Sequence, residues 1–253
     1  MEGTIEIENF KFNISMSGHS KWSKVKHQKA TTDVLKGAAF TKATRAITIA
    51  VKEGGGVTDP NTNFHLRLAV EKARAVNMPK ENIQRAMEKA KGTDAQELHQ
   101  VAYEAYGPFG IAFYIEAATD NMNRTVSFIK QTLEHQGGSM AGPGAVTYLF
   151  DCRGVILVPK ETCSYDTIFG YVLEFGAEDV QEQEDVFEVY TAPESLYRIK
   201  TKLEEKNVTI DSSSVVMQAK AGIIVPSEKQ EIIDTLVERL EQSEDIQRVF
   251  TNT

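Results

Sequence analysis

The residues of this chain best suited to chemistry lie close together near its start. His19, Lys21, Trp22, Lys24, Lys26, His27 and Lys29 set four lysines and two histidines around the only tryptophan. Cations at this spacing neutralise phosphates, and an aromatic ring among them can stack on a base or a sugar. The chemistry is polyanion recognition rather than bond making. The other reading of the same residues is a solvated, lysine-rich arm with Trp22 tucked against a neighbouring helix, since charge runs often do no more than face water.

The distribution of charge supports the first reading. The 253-residue chain carries a formal net charge of -8. Residues 17–91, however, hold 15 Lys and Arg against 6 Asp and Glu, a local net of +9. Residues 1–16 carry -2 and residues 92–253 carry -15. A basic module on an acidic body predicts a polyanion partner for the module alone. Lys36, Lys42, Arg45, Arg67, Lys72 and Arg74 are expected to extend the phosphate-binding surface begun by the arm. A second polar cluster, 119–125, contains Asn121, Asn123 and Arg124 at a strand-to-helix junction, where a helix N-terminus could hold an anion. Its alternative is a helix cap supplied by Asp120, Asn121 or Asn123, with Arg124 paired to a local carboxylate.

Other chemistries find less support. Cys152 and Cys163 have no histidine pair at zinc-ligand spacing, and His19 and His27 have lysines between them, so no metal or other cofactor is expected. No serine sits in a Gly-x-Ser-x-Gly elbow, and the glycine runs 54–56 and 137–138 lack the Lys-Ser/Thr of a phosphate-binding loop. No enzyme activity and no small-molecule substrate are expected. No window reaches 18 apolar residues, so no membrane partner is expected. Two cysteines cannot frame a disulfide scaffold, and the opening has neither a signal nor a transit pattern, which together predict reduced thiols and a cytoplasmic location. Residues 1–16 read as an acidic leader ahead of the basic arm, with Met16 as a second candidate start.

Helices must carry the basic module. Apolar spacing predicts helices over 33–52, 64–77 and from Pro79 to about 90, broken by Gly54-Gly55-Gly56 and by Met78-Pro79. From Gly92 the pattern changes to strands over 101–106, 110–118, 145–150, 154–158, 186–190, 214–218, 223–225 and 247–251. Helices interleave with them after 121–123 and over 164–175, 193–206 and 228–241. Thr191 with Glu194, and Ser227 with Gln230, have the spacing of capping pairs. Mixed strands and helices on short connections predict an α+β fold, a helical N-terminal bundle followed by α/β sandwiches. No helix-turn-helix signature that would supply base readout is evident.

These motifs together resemble the YebC/PmpR family. The resemblance rests on Ser17-Gly18-His19-Ser20-Lys21-Trp22 with Lys26-His27, Lys36-Gly37, Phe40-Thr41-Lys42 and Glu53-Gly54-Gly55-Gly56. It continues through Asn77-Met78-Pro79-Lys80, Tyr103-Glu104 with Tyr106-Gly107-Pro108, Thr119-Asp120-Asn121 with Asn123-Arg124-Thr125, Gly137-Gly138 and Gly154-Val155-Ile156. It runs in order from Met16 to the C-terminus. It implies three domains: 17–92, a basic helical domain; 93–143 with 217–253, an α/β domain; and 144–216, an α/β domain inserted in it. It implies a non-enzymatic cytoplasmic protein acting on nucleic acid, either a DNA-binding regulator of transcription or a translational activator associated with the ribosome and its RNA. The chain departs from the family at Ala38, where lysine is common, and at Ala105, Phe109 and Met122, which stand for residues usually small or basic. Met122 removes a positive charge from the 119–125 cluster.

Overall fold

The computed structural model describes residues 33–92 and 98–253. Three helices come first: α1 (Asp33–Glu53), α2 (Phe64–Ala75) and α3 (Lys80–Lys91). Each boundary has a local cause. Gly55 and Gly56 take positive φ after α1, which a residue with a Cβ rarely adopts. Asn63 caps α2 by accepting the Leu66 N–H at 3.0 Å, while its own amide donates to the carbonyls of Ala50 and Val57. Asn77 turns left-handed at φ 59°, and Pro79 then precedes α3. Ile47, Leu66, Ala73, Ile83 and Met87 fill the core between the three helices.

Two antiparallel sheets of four strands follow. The first has the order β3-β1-β2-β8, from β1 (His99–Tyr106), β2 (Ala112–Thr119), β3 (Ser139–Ala141) and β8 (Ile246–Thr251). Helices α4 (Met122–Glu134) and α7 (Ser227–Glu241) cover one face, burying Phe113, Ile115, Ile129, Leu133, Ile233 and Leu236. The second sheet, β5-β6-β4-β7, comprises β4 (Phe150–Pro159), β5 (Asp179–Glu182), β6 (Val186–Thr191) and β7 (Ser212–Ala219). Helices α5 (Tyr165–Phe175) and α6 (Leu196–Glu205) pack on it over Ile156, Val158, Phe187 and Val189. All four of its strands fall in sequence between β3 and β8. The architecture is the expected α+β class. The expected 216/217 boundary falls inside β7, which pairs along β4 from Phe150 to Leu157.

Several local expectations differ from what forms. Residues 145–150 are not a strand: Thr147–Leu149 make one 3-10 turn, and β4 begins only at Phe150. The loop here is held by Glu104, whose carboxylate accepts the N–H groups of Gly144, Val146 and Thr147 at 2.6, 2.6 and 2.9 Å. Residues 223–225 form no strand either, although the Ile223 N–H donates to the Asn252 carbonyl. Neither capping pair forms. The Thr191 hydroxyl donates to the neighbouring Ala192 carbonyl, and the Gln230 amide reaches forward to Asp234. The short β3 and β5 were not expected. Three and four residues give too little alternation to mark a strand.

The helical unit rests on both sheets. The Lys42 ammonium donates to the Glu241 carbonyl at the end of α7. On the other side, Lys200 of α6 pairs with Glu71 of α2 at 2.8 Å, and Phe64 meets Tyr197 edge-on. The sheets are tied by Arg248, which donates to the Val215 carbonyl and pairs with Glu116 at 2.8 Å.

Candidate nucleic-acid interface

The expected contact residues divide into three groups. His19, Lys21, Trp22, Lys24, Lys26, His27 and Lys29 lie outside the described residues. Lys36 falls in the first turn of α1. Lys42, Arg45, Arg67, Lys72 and Arg74 are placed, and only Arg74 among them is an exposed side chain with no charge partner described.

Lys42 and Arg45 point into the molecule. Burial lowers the Lys42 ammonium from its ordinary value, and the nearby Glu241 carboxylate opposes that shift. Arg45 donates to the carbonyls of Ala118 and Glu244 at 3.0 and 3.1 Å and pairs with Asp245. Arg67 donates to the carbonyls of Pro60 and Asn61 at 2.7 Å, and its guanidinium lies 3.9 Å from the centre of the Tyr197 ring. A guanidinium stacked in this way holds α2 against α6. Lys72 is pushed down to about 7, first by the Arg248 guanidinium and then by the protein crowded around it, with Glu116 opposing. The residue keeps exposed surface, so water screens part of that repulsion. Lys42, Arg45 and Arg67 brace the fold, and a polyanion would have to displace their present partners to use them.

The 119–125 cluster is organised around Asp245. This carboxylate, from the turn before β8, is only 5% exposed. Arg124 donates to it through Nε at 3.0 Å and through a terminal nitrogen at 2.8 Å, and the Thr125 hydroxyl donates at 3.0 Å. Burial alone would raise the Asp245 carboxyl. The donors from Arg124, Arg45 and Thr125 override it and hold the carboxyl below its ordinary range. Arg124 also pairs with Asp120 at 2.6 Å. The same hydrogen bonds raise the Arg124 guanidinium further above its usual value. Asn121 caps α4 by accepting the Arg124 N–H at 3.0 Å. The cluster therefore has the geometry of a capped helix whose arginine is already neutralised. Asn123 stands exposed beside it. Met122 is also exposed, so its missing charge leaves no hole in the packing.

Besides Arg74, exposed cations stand on α3. Lys80, Arg85, Lys89 and Lys91 are exposed, with Glu81 and Glu88 interspersed, while Ile83, Ala86, Met87 and Ala90 face the core. The inward set Ile83, Met87 and Ala90 was legible as a helical stripe. The outward cations follow from the same wheel, and that was the signal to use. Residues 76–79 join α2 to α3 in a turn of helix-turn-helix length, with Asn77 supplying the left-handed residue. An open cleft between α1 and α3 is lined by Thr41, Thr44, Thr48, Arg45 and Lys89.

Among the described residues, no group of three or more His, Cys, Asp and Glu side chains is placed to hold a metal ion. No helix among them is long and apolar enough to cross a membrane. Burial raises the thiols of both Cys152 and Cys163, which disfavours thiolate chemistry at either.

Comparison with known proteins bears on the whole chain. Residues 20–93 match the model of the TACO1/YebC protein N-terminal domain, and residues 98–253 match that of the TACO1/YebC second and third domain. A relative from Desulforamulus reducens is 41% identical over 94% of this chain and 98% of its own length. Another from Thermoanaerobacter pseudethanolicus is 42% identical over 94% of this chain and 96% of its own. Both are named probable transcriptional regulatory proteins. The crystal structure of a conserved hypothetical protein from Aquifex aeolicus superposes with a TM-score of 0.80 at 36% identity, covering 92% of this chain and 96% of that one.

Proposed function

The chain belongs to the TACO1/YebC family, and from that premise we propose that it is a non-enzymatic regulator of transcription that binds duplex DNA through its basic helical unit. The observation that carries this reading is the set of exposed cations on α3, Lys80, Arg85, Lys89 and Lys91, which flank Glu81 and Glu88, on a helix joined to α2 by a turn of helix-turn-helix length. In such a pair the second helix enters the major groove. Lys80, Lys89 and Lys91 would sit on phosphates, and Gln84 and Arg85, on the outward face, would reach base edges. The lysine arm at 21–29 would track the adjacent backbone, with Trp22 as its stacking group. The acidic body, net -15 over residues 92–253, would be repelled by the duplex and orient the encounter. The protein works in the cytoplasm in this reading.

Salt titration of the full chain on duplex DNA, and on a ribosomal RNA helix, tests the proposal. Replacing Lys21, Lys24, Lys26 and Lys29 with Ala, or Lys80, Lys89 and Lys91 with Ala, should weaken DNA binding. It should also flatten the salt slope by about 0.7–0.9 for each phosphate that is no longer neutralised. Arg85→Ala should instead reduce discrimination between DNA sequences. Unchanged affinity and slope in both lysine sets would overturn the assignment of the surface. Tighter binding to the RNA helix, by the same cations, would move the protein to the ribosome and to translation, because A-form RNA is recognised by its shape and backbone.

A further inference from the structure

Helix α5 carries two adjoining apolar stripes, one buried and one exposed. Its inner side, Ile168, Val172 and Phe175, is at most 4% exposed and packs on the second sheet. The adjoining stripe carries Tyr165, Phe169 and Leu173, one turn apart from each other, at 40, 43 and 69% exposure. Tyr165 and Phe169 stack with ring centres 5.8 Å apart, and Tyr165 meets Phe187 edge-on. Asp166, Thr167 and Glu174 fill the remaining arc, so the apolar arc of α5 is wider than the part its own sheet covers. Gly170 lies beside this stripe, and a Cβ there would meet nothing within 4 Å. A mid-helix glycine is less favourable than alanine, and packing within the chain gives no reason for it. It does leave room for another backbone to approach.

The charge around the stripe selects the occupant. Residues 144–216 hold 14 acidic against 6 basic side chains, a net of -8. At the Tyr165 end the exposed carboxylates are Glu161, Asp166, Glu182, Glu184 and Asp185. Lys160, the cation there, is paired with Glu182 at 2.8 Å. Lys202 and Lys206 lie over Phe175 and Tyr171, on the other flank of the helix. A second copy would set the same acidic fringe against this one. Nucleic acid and anionic lipid would be repelled as well.

We propose that the outer face of α5 is a docking surface for a cationic, amphipathic segment of a partner protein, with apolar side chains seated on Tyr165, Phe169 and Leu173 and Lys or Arg on the acidic fringe. Helix-in-groove recognition of this kind reads apolar anchors at one-turn spacing. It is independent of the DNA reading, since α5 lies in the acidic body.

The test uses the full chain and two labelled peptides of one Lys/Leu composition. In one, the leucines occupy a single helical face. In the other, they are scattered. Fluorescence anisotropy should show the segregated peptide binding more tightly than the scattered one. Phe169→Ser and Leu173→Ser, both at exposed positions and each checked for an unchanged melting temperature, should each weaken it by about tenfold. Glu161→Lys with Asp166→Lys should weaken it without touching the apolar stripe. Equal binding of both peptides, or no effect of the serine variants, would overturn the proposal. So would a dimer in sedimentation that Leu173→Ser disperses, because the face would then belong to a second copy. Tighter peptide binding after Lys21, Lys24, Lys26 and Lys29 are replaced by Ala would give the site to the chain's own arm and overturn it too.

Discussion

Asp245 and Glu104 are both buried carboxylates, 5 and 8% exposed, and they are satisfied in opposite ways. Asp245 is met by side chains from two other elements, Arg45 of α1 and Arg124 and Thr125 of α4. Glu104 is met by the backbone of one short loop, through Gly144, Val146 and Thr147. Burial pushes both carboxyls up, and in both the hydrogen-bond donors win. The Asp245 site joins units that are far apart in sequence, and it holds formal charge of both signs. The Glu104 site fixes one crossing between the two sheets with no cation at all. A buried carboxylate thus needs donors rather than a counter-ion, and the choice between the two decides whether it organises a domain interface or a loop.

Removing Asp245 should have the largest effect. Asp245→Ala leaves Arg45 with carbonyl partners only and should cost about 3–5 kcal/mol, read as a lower urea midpoint. It should also loosen α1 from β2, seen as faster amide exchange in α1 than in α4. A loss under about 1 kcal/mol would mean that the arginines find water instead, and the contrast with Glu104 would collapse.

Glu104→Gln comes next. Its amide NH2 would oppose a backbone N–H, at a cost of about 1–3 kcal/mol near neutral pH. The donors hold the Glu104 carboxyl down at about 2 against an ordinary 4.5. Its contribution is therefore complete above pH 4.5 and is lost as pH falls toward 2. The stability difference between wild type and variant should shrink across that window. A difference independent of pH would show that shape, rather than charge, holds the loop.

The smallest effect should come from Arg124→Ala. This side chain is 51% exposed, whereas Arg45 is 15% exposed at the same carboxylate. The loss should be about 1 kcal/mol or less and should diminish at high salt. Parity with Arg45→Ala would make the two arginines equal partners and remove the distinction between the buried and the exposed arm of the site.

The same contrast governs what could be read in advance. The three basic-module helices, β1, β2, α4, α5 and α7 were legible because each carries its own periodicity over eight or more residues. A helix cap among Asp120, Asn121 and Asn123 was legible as the alternative to an anion site, since a cap is local, and the structure selects Asn121. The strand expected over 145–150 failed because Glu104, some 40 residues earlier, captures that backbone first. Phe109 shows another limit. It sits at φ 64°, a region that favours glycine, with Lys229 4.6 Å from its ring centre. Its place in the turn was visible, but not the left-handed conformation it takes there.

For this protein the sequence alone determined the charge division, the order of the elements and the family, because these depend on composition, periodicity and motifs close together along the chain. Only the tertiary structure decided which cations remain available. Lys42 and Arg45 look no different in sequence from Lys80 and Arg85. Their partners, Glu241 and Asp245, lie 199 and 200 residues away, and only packing brings them together. Once that happens, the energy of satisfying a buried carboxylate and a helix end takes those cations out of solvent, and Arg74 and the cations of α3 are left to present the charge.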